Sequence, residues 1–499
     1  MSRSIVLACA LALLLAPAAF AKRPPSYEVG IASRSINPGA DGTWQGQPVY
    51  LGGYGISSPP VQPGRPATGI LGDGASVRAI VIGDGKHLLA VADAELQGWF
   101  AKAKDGPYGI MDVRKQVAAR THGALSPSDI VVQSDHSHGG PDLIGVWGGA
   151  PAAYRAFVVQ QTADAIVDAY QHRRRGRLYY GTAPGADLLS NQFGYDPANT
   201  SLDSDVRVLQ ARDDSGRTFA TLLNFSAHAT VLGSDNKKVT GDWPQVINPM
   251  LEQRFGGRAM TMVGTVGRTQ PGDRGCADKT ATGDAFQLCK LHDYAQRVLD
   301  RAAVAVQNAK PIPGAPVVSA ESFLIEDPAT NPLLLSLLYA GAAAGAPINR
   351  ALTPPYMAGD VIGTSTTTAR IGDVLLSAGP GEMYPQIPLK VRDEMPGLQG
   401  YMTAGLADDQ LGYLIAPYEA YTEPVKRSLL DQNNQPSPID NDNYFFNVSH
   451  TMGERVTCSL LRGAGDVFGK GTAPRDAYDR CATFDSDLAF GPGSDAQLG

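Results

Sequence analysis

The sequence has no excess of positive charge, since its 42 lysines and arginines are outnumbered by 49 aspartates and glutamates. A protein whose main partner is a nucleic acid needs a positive surface to neutralise phosphates. The net charge of −7 therefore excludes nucleic acid as the main partner. The apolar fraction of 43% is ordinary for a globular protein, which excludes disorder throughout the chain.

Hydrophobic runs long enough to span a membrane are also missing, and one shorter run lies near the N-terminus. Residues 5–16 are apolar, but this run is shorter than the ~18 residues that a membrane-spanning helix requires. Arg3 precedes the run, and Ala19-Phe20-Ala21 follows it as a small-x-small cleavage site. These features predict a signal peptide at residues 1–21, cleaved after Ala21. We therefore expect a secreted or periplasmic protein.

Cysteine is scarce, and one of the five cysteines, Cys9, would leave with the signal peptide. An even number of cysteines in an exported chain predicts two disulfides. Three pairings exist, and we expect the one that closes the shortest loops. A cysteine metal site is the alternative, although the chain has no C-x-x-C spacing. The pairing we expect is Cys276 with Cys289 and Cys458 with Cys481.

Local patterns predict a mixture of strands and helices without internal repeats. Two hairpins are predicted from the segments 78–82 with 88–92 and 206–211 with 218–225. Short buried strands are predicted at 130–132 and 374–376, and amphipathic helices at 154–171 and 288–308. The apolar segment 333–346 is either a buried helix or a lid beside a pocket, and 431–443 is a surface loop. The fold class predicted is α/β (mixed α+β), built on mixed β-sheets with flanking helices.

Two of the eight histidines stand two residues apart, in the segment Asp135-His136-Ser137-His138 directly after a predicted strand. In an extended chain, residues two apart point to the same side, so we expect both imidazoles to face one site. This spacing suits a zinc ion, with both histidines as ligands or with one as a ligand and the other as its neighbour. Histidines of the surface or core without a metal remain the alternative.

Two further candidate ligands occupy the same kind of place, where an apolar strand gives way to glycine or small residues. His228 follows the predicted strand 218–225, and Glu382 follows the predicted strand 374–376. Two histidines and a glutamate with an open position make up a catalytic zinc site. Taken singly, a core histidine and a surface carboxylate explain these two residues equally well. The sequence contains no H-E-x-x-H, P-loop or G-x-S-x-G motif that would point to another chemistry.

Together these segments resemble the neutral, non-lysosomal ceramidase family, which are secreted zinc amidases that split ceramide into sphingosine and a fatty acid. The resemblance runs through most of the mature chain. Beyond the double-histidine segment and Gly379-Pro380-Gly381-Glu382, it includes the segments 51–55, 224–230, 267–272, 412–415 and 444–453.

The resemblance implies roles for particular residues of this chain. His138 would contact the metal-bound water or the substrate. Tyr444 would hydrogen-bond the scissile carbonyl oxygen, a match that requires the insertion 431–443. The zinc ligands implied are His136, His228, Glu382 and Tyr413.

The chain departs from the family pattern at two places near the implied site. Gln270 stands where the family has its active-site serine, and a glutamine cannot be a nucleophile, so acyl-serine chemistry is excluded at this position. The family's Asn-Arg-Ser segment appears as Asn191-Gln192-Phe193, without the arginine that lines the site. By the resemblance, we expect the chain to lack the family's C-terminal immunoglobulin-like domain. We therefore expect Gln270 to select the substrate.

The function expected is zinc-dependent hydrolysis, with one Zn²⁺ per chain, of the amide bond of ceramide or a related N-acyl lipid. The alternatives are a zinc hydrolase for other N-acyl amides or esters and an inactive lipid- or glycan-binding relative. A lipid-like substrate also allows transient contact with a membrane surface. We expect a hydrolase domain at 22–455 and a short disulfide-tied extension at 456–499. The sequence does not predict the oligomeric state.

Overall fold

The computed structural model describes residues 26–54, 64–192, 202–331, 361–415, 446–449, 451–469, 481, 490–492 and 495–498. The predicted signal peptide, the apolar segment 333–346, the polar segment 431–443 and Tyr444 lie outside the described residues.

Short and long strands make up much of the described chain. They are, in chain order, β1 (Tyr27–Ser35), β2 (Thr43–Trp44), β3 (Gln47–Pro48), β4 (Tyr50–Leu51), β5 (Arg65–Pro66), β6 (Ser76–Gly83), β7 (Leu88–Ala94), β8 (Ile130–Ser134), β9 (Arg174–Pro184), β10 (Leu189–Asn191), β11 (Asp205–Arg212), β12 (Thr218–Phe225), β13 (Arg258–Val263), β14 (Thr269–Pro271), β15 (Lys310–Pro311), β16 (Val318–Pro328), β17 (Val361–Ile371), β18 (Val374–Ala378), β19 (Glu382–Met383), β20 (Gly400–Ala404), β21 (Tyr413–Leu414) and β22 (Phe490–Pro492).

The longer strands form two sheets. The large sheet has the order β13-β12-β11-β9-β1-β6-β7-β8, with β15 paired to β9, and the smaller sheet has the order β20-β18-β17-β16-β22. Both predicted hairpins are confirmed, since β6 pairs antiparallel with β7 and β11 with β12. The strands predicted at 130–132 and 374–376 are confirmed as parts of β8 and β18. Each sheet contains both parallel and antiparallel pairs, as in β7 with β8 and β18 with β20, which are parallel.

Helices connect the strands and lie on the sheets. Both predicted amphipathic helices are confirmed, although they begin earlier than predicted, at Ala152 and Gly283. In chain order the helices are α1 (Ile110–Arg120), α2 (Ala152–Gln171), α3 (Asp242–Phe255), α4 (Gly283–Asn308), α5 (Gln386–Asp393), α6 (Met452–Val467) and the short α7 (Asp495–Leu498).

The two sheets pack face to face, and helices cover the outer face of each. Along β6, Ile80 and Ile82 enter the core between the sheets, whereas Ala79 and Val81 enter the core beneath α1 and α2. This alternation follows from the two-residue period of a strand. Helices α3 and α4 cover the other end of the large sheet, and α5 and α6 cover the smaller one. The predicted class, α/β (mixed α+β) with mixed sheets and flanking helices, is confirmed.

The edge strands of the large sheet, β8 and β13, approach each other. The side chain of Gln133 in β8 donates a hydrogen bond to the carbonyl of Val263 in β13. The segment that follows β20 lies between β8 and β13. There the Gly405 N–H donates to the Val263 carbonyl over 3.3 Å. The Leu406 N–H donates to the carbonyl of Gly381 over 2.9 Å, next to Glu382. The ends of strands from both sheets therefore meet at one place.

The C-terminal part of the described chain packs on the smaller sheet. Helix α6 runs across residue 455, where we expected the hydrolase domain to end, and its apolar side is part of the core of that sheet. The division into two regions stays a prediction. Both expected disulfides, Cys276–Cys289 and Cys458–Cys481, are present. Within the described residues, no helix combines the length and apolar character needed to cross a membrane.

Candidate metal centre

The two histidines of the D-H-S-H segment converge through a turn and not through an extended strand. Strand β8 ends at Ser134, and His136 has a φ of 61°, in the left-handed region that a non-glycine residue rarely adopts. The rings of His136 and His138 nevertheless lie close, with 4.9 Å between their centroids. The expectation that both imidazoles face one site is correct, but the reason given for it, strand alternation, is wrong.

His228 comes to the same place from the other side of the large sheet. It follows β12, whose neighbour β13 lies at the sheet edge that meets β8. Its ring centroid lies 5.1 Å from that of His136 and 5.9 Å from that of His138. One ligand nitrogen from each of the three rings lies within 4.8 Å of the others. These three histidines could hold a metal ion.

Glu382 completes the cluster from the smaller sheet side. Its Oε1 lies 3.4 Å from Nε2 of His136, and its Oε2 lies 3.3 Å from Nε2 of His228. Only 6% of the residue is exposed. Burial alone would raise the pKa of this carboxyl, but His136 and His228 lower the pKa well below its usual value. Glu382 is therefore an anion that bridges two imidazoles.

The opposite nitrogen of each bridged ring is held by a backbone carbonyl. Nδ1 of His136 lies 2.7 Å from the Gln97 carbonyl oxygen, and Nδ1 of His228 lies 2.8 Å from that of Thr269. A carbonyl only accepts, so each Nδ1 must carry the hydrogen, and in a neutral imidazole Nε2 is then a bare lone pair. Burial lowers the pKa of His228, which favours this neutral form.

The arrangement fits a cation. With both imidazoles neutral, two Nε2 lone pairs and two carboxylate oxygens face one another with no hydrogen to share, and such acceptor pairs repel unless a positive charge lies between them. A backbone carbonyl behind each imidazole is also the usual support of a histidine metal ligand, because it sets the tautomer and the ring orientation. The residues present therefore fit a metal ion, on the chemistry of the donor set alone.

His138 lies at the edge of this cluster. Among the described residues, neither Nδ1 nor Nε2 has a hydrogen-bond partner, and both atoms are buried. Burial, with His136 and His228 beside it, lowers the pKa of His138 well below its usual value. The ring of Tyr54 packs edge-on at 4.6 Å between centroids, and Arg65 donates to the His138 carbonyl over 2.6 Å. A neutral imidazole with a free nitrogen can bind a metal or exchange a proton with a bound molecule.

Tyr413 lies next to Glu382 in the fold. Strands β19 and β21 are parallel neighbours in which Glu382 and Tyr413 are paired. Tyr413 is 5% exposed, and its ring meets that of Tyr384 edge-on at 6.5 Å. The structure thus brings His136, His138, His228, Glu382 and Tyr413 into one neighbourhood, while their individual roles stay predictions. Tyr444 lies outside the described residues.

Gln270 follows the residue whose carbonyl supports His228. It belongs to β14, which pairs with β10, and its side chain is half-buried. Its Oε1 accepts hydrogen bonds from the Thr230 hydroxyl (2.7 Å) and the Arg274 guanidinium (3.0 Å). Its Nε2 donates to Oε1 of Gln192 over 3.1 Å. The two departures from the ceramidase pattern are therefore in direct contact.

Sequence reasoning did not identify the supports of the histidines. Gln97 and Thr269 support the rings through their backbone carbonyls. Every residue has a backbone carbonyl, so the residue type does not reveal this role. Thr269 lies in the segment 267–272, which resembles the ceramidase family. That resemblance is the one signal that could have pointed to Thr269.

Comparisons with known proteins support the fold. No family model matches the sequence, and no curated protein matches it. The neutral ceramidase from Pseudomonas aeruginosa superposes with a TM-score of 0.68 at 15% identity, covering 90% of this chain and 75% of that one. A ceramidase complexed with C2 gives a TM-score of 0.65 at 14% identity, covering 89% of this chain and 76% of that one. The chain therefore has the fold of the neutral ceramidases.

Proposed function

We propose that this protein is an exported zinc-dependent amidohydrolase that cleaves the amide bond of ceramide or a related N-acyl lipid. The observation that carries the proposal is the set of bare Nε2 atoms of His136 and His228 facing the Glu382 carboxylate. The fold, shared with two ceramidase structures, supports the choice of an acyl amide as substrate.

Zinc is the metal we propose, with one ion per chain and with His136, His228, Glu382 and Tyr413 as ligands. Imidazole and carboxylate donors suit zinc, and a phenol can join them once a nearby cation lowers its pKa. His138 offers a third imidazole at the same place and takes the part of a site residue. An open coordination position characterises catalytic rather than structural zinc.

The chain's own residues would then carry out most of the reaction. When bound, zinc supplies Lewis acidity, which makes water nucleophilic at neutral pH and polarises an amide carbonyl. His138, neutral at pH 7, accepts a proton on its free ring nitrogen and returns it to the leaving amine. Tyr444 donates a hydrogen bond to the carbonyl oxygen as negative charge develops there. Gln270, with a fixed amide at the edge of the site, selects the polar end of the substrate.

Export is part of the proposal. Disulfides persist in oxidising compartments, so Cys276–Cys289 and Cys458–Cys481 support a secreted or periplasmic location after cleavage behind Ala21. A lipid substrate would bring the protein into transient contact with membrane surfaces. We further propose that residues 22–455 form the hydrolase domain and 456–499 a short extension.

The test is to measure the hydrolysis of a panel of fluorescent acyl amides and esters by the purified protein, both as isolated and after a chelator has removed the metal. We expect hydrolysis of the amides that stops on chelation and returns with Zn²⁺. Cleavage of esters alone would favour the alternative hydrolase. Stoichiometric zinc without any turnover would favour an inactive lipid- or glycan-binding relative and contradict the proposal.

A further inference from the structure

One deeply buried arginine beside the candidate metal centre has no acidic partner among the described residues. Arg268 is 2% exposed, and the one hydrogen bond of its side chain to the described residues runs from Nε to Oδ1 of Asn191 over 3.3 Å. Its guanidinium otherwise lies 5.7 Å from the centre of the Tyr384 ring. An arginine has five N–H donors, and the bond to Asn191 uses only the one on Nε. Both Nη groups of Arg268 therefore lack an acceptor among the described residues.

The other deeply buried arginines of the described chain are all paired with carboxylates. Their ion pairs are Arg114–Asp408, Arg155–Asp105, Arg207–Asp203 and Arg455–Asp327. Arginine stays charged at any pH a protein meets, and an uncompensated buried charge is strongly unfavourable. The contrast indicates that the anion Arg268 needs is supplied by a ligand.

The position of Arg268 ties that anion to the metal centre. On one side, the Gly267 N–H donates to the Met383 carbonyl over 3.1 Å, next to Glu382. On the other side, the Thr269 carbonyl holds Nδ1 of His228 at 2.8 Å. The ring of Tyr384 beside its guanidinium packs against Tyr413. Arg268 therefore belongs to the wall of the same site.

The neighbouring polar groups suit a charged head group. Gln192 and Gln270 present amides, and Arg274 adds a second guanidinium that donates to Gln270 Oε1 over 3.0 Å. The planar fork of an arginine matches the two oxygens of a carboxylate, and one cation balances one such anion. The diol end of ceramide carries no charge and would leave Arg268 uncompensated.

We infer that Arg268 binds a carboxylate of the substrate, so that the amide cleaved is that of an N-acyl amino acid. The inference rests on the proposed function for the cleavage step. In that step water adds to the acyl carbon, the carbon–nitrogen bond breaks, and the products are a fatty acid and a free amino acid whose amine takes a proton.

Matched substrates test the inference directly. N-decanoylglycine and N-decanoylglycinamide share the acyl chain and differ in a carboxylate against a neutral amide of similar size, and kcat/KM is measured for both in wild type, R268Q and R268K. We expect wild type to prefer the acid by about 10-fold to 100-fold, the range for a charge-assisted hydrogen bond. R268Q should bring the ratio close to one, while R268K retains part of the preference. The matched control is R301Q, because Arg301 pairs with Asp187 on the surface.

Binding to the metal-free protein separates this inference from the proposed function. Calorimetric titration should give tighter binding of N-decanoylglycine than of the glycinamide in wild type and R301Q, and equal binding in R268Q. If this pattern holds while neither compound is hydrolysed by the zinc-loaded protein, the carboxylate-binding role of Arg268 stands and the hydrolase proposal fails. Hydrolysis of both compounds with the same ratio in wild type and R268Q, or no binding of either compound, would overturn the role of Arg268.

Discussion

Nε2 of Gln270 donates a hydrogen bond to Oε1 of Gln192 over 3.1 Å. Each of these glutamines stands where the resemblance leads us to expect another residue, a serine at 270 and an arginine at 192. The contact shows that the two departures form one unit at the edge of the site. Thr230 and Arg274 hold the other end of the Gln270 amide. A side chain fixed at both ends is suited to selecting a substrate.

Replacing Gln270 should therefore change specificity more than it changes chemistry. A metal-activated water needs no protein nucleophile, so Q270A should retain measurable amide hydrolysis. Q270S should raise the kcat/KM for ceramide relative to other N-acyl amides, since a shorter hydroxyl side chain widens the site and changes its hydrogen bonding. Steady-state kinetics on a panel of acyl amides measures both effects. Loss of all activity in Q270A, with metal bound and the fold intact, would show that Gln270 takes part in the chemistry.

Removing one candidate ligand should empty the metal centre. We expect one zinc per chain in wild type and at most a small fraction in H136A or E382A, because loss of one ligand of four cripples a zinc site. Elemental analysis of the purified proteins gives the result. H87A is the matched control, since the His87 side chain is 64% exposed. Full zinc content in both ligand variants would refute the assignment.

The second disulfide should stabilise the fold. Cys458–Cys481 joins α6 to a cysteine in the core of the smaller sheet across 23 residues of sequence. Loops of this length typically contribute about 3 kcal/mol when cross-linked. Denaturant unfolding of the double variant C458S/C481S should show a loss of that order. Non-reducing peptide mapping of wild type that yields free thiols or a crossed pairing would contradict the connectivity.

Glu95 should make the stability depend on pH. Burial raises the pKa of this carboxyl from its ordinary 4.5 to about 7 in the folded protein, with Arg78 and Ser76 opposing the shift. A raised pKa means that the folded state holds the proton more tightly than the unfolded state does. The stabilisation is complete below pH 4.5 and is lost as the pH rises through about 7.

Replacing Glu95 by glutamine should remove this dependence. The amide oxygen can still accept from the Ser76 N–H, which now lies 2.6 Å from Oε2. We expect the free energy of unfolding of wild type to fall by roughly 3 kcal/mol more than that of E95Q between pH 4.5 and 8, at 1.4 kcal/mol per pKa unit. Urea unfolding across this range measures it, with E28Q as the control, because the Glu28 side chain is 44% exposed. Parallel pH profiles for wild type and E95Q would contradict the prediction.

Much of the fold was predictable because the signals are local. The hairpins β6–β7 and β11–β12 follow from apolar runs on either side of short polar turns. The helices α2 and α4 follow from a 3.6-residue period, and only their first turns were missed. The disulfides follow from short loops in a chain that the sequence predicts to be exported. Each of these features depends on residues close together in the chain.

The metal centre was predictable only in part. Residue types at strand ends indicated His136, His228 and Glu382, and the structure brings them together. The left-handed turn at His136 was not foreseen, since no glycine or asparagine marks it.

By itself the sequence determined the local elements, the disulfide loops and the residue types that suit a metal, because periodicity, turn chemistry and donor type can be recognised within short segments. Only the tertiary structure decided that β8 and β13 meet, which carbonyls set the histidine tautomers, and that Arg268 alone among the deeply buried arginines described has no carboxylate beside it. The physical reason is that these contacts join residues far apart in the chain, several through backbone atoms common to every residue. Whether these contacts form depends on how the two sheets twist and pack, which no short segment of sequence specifies.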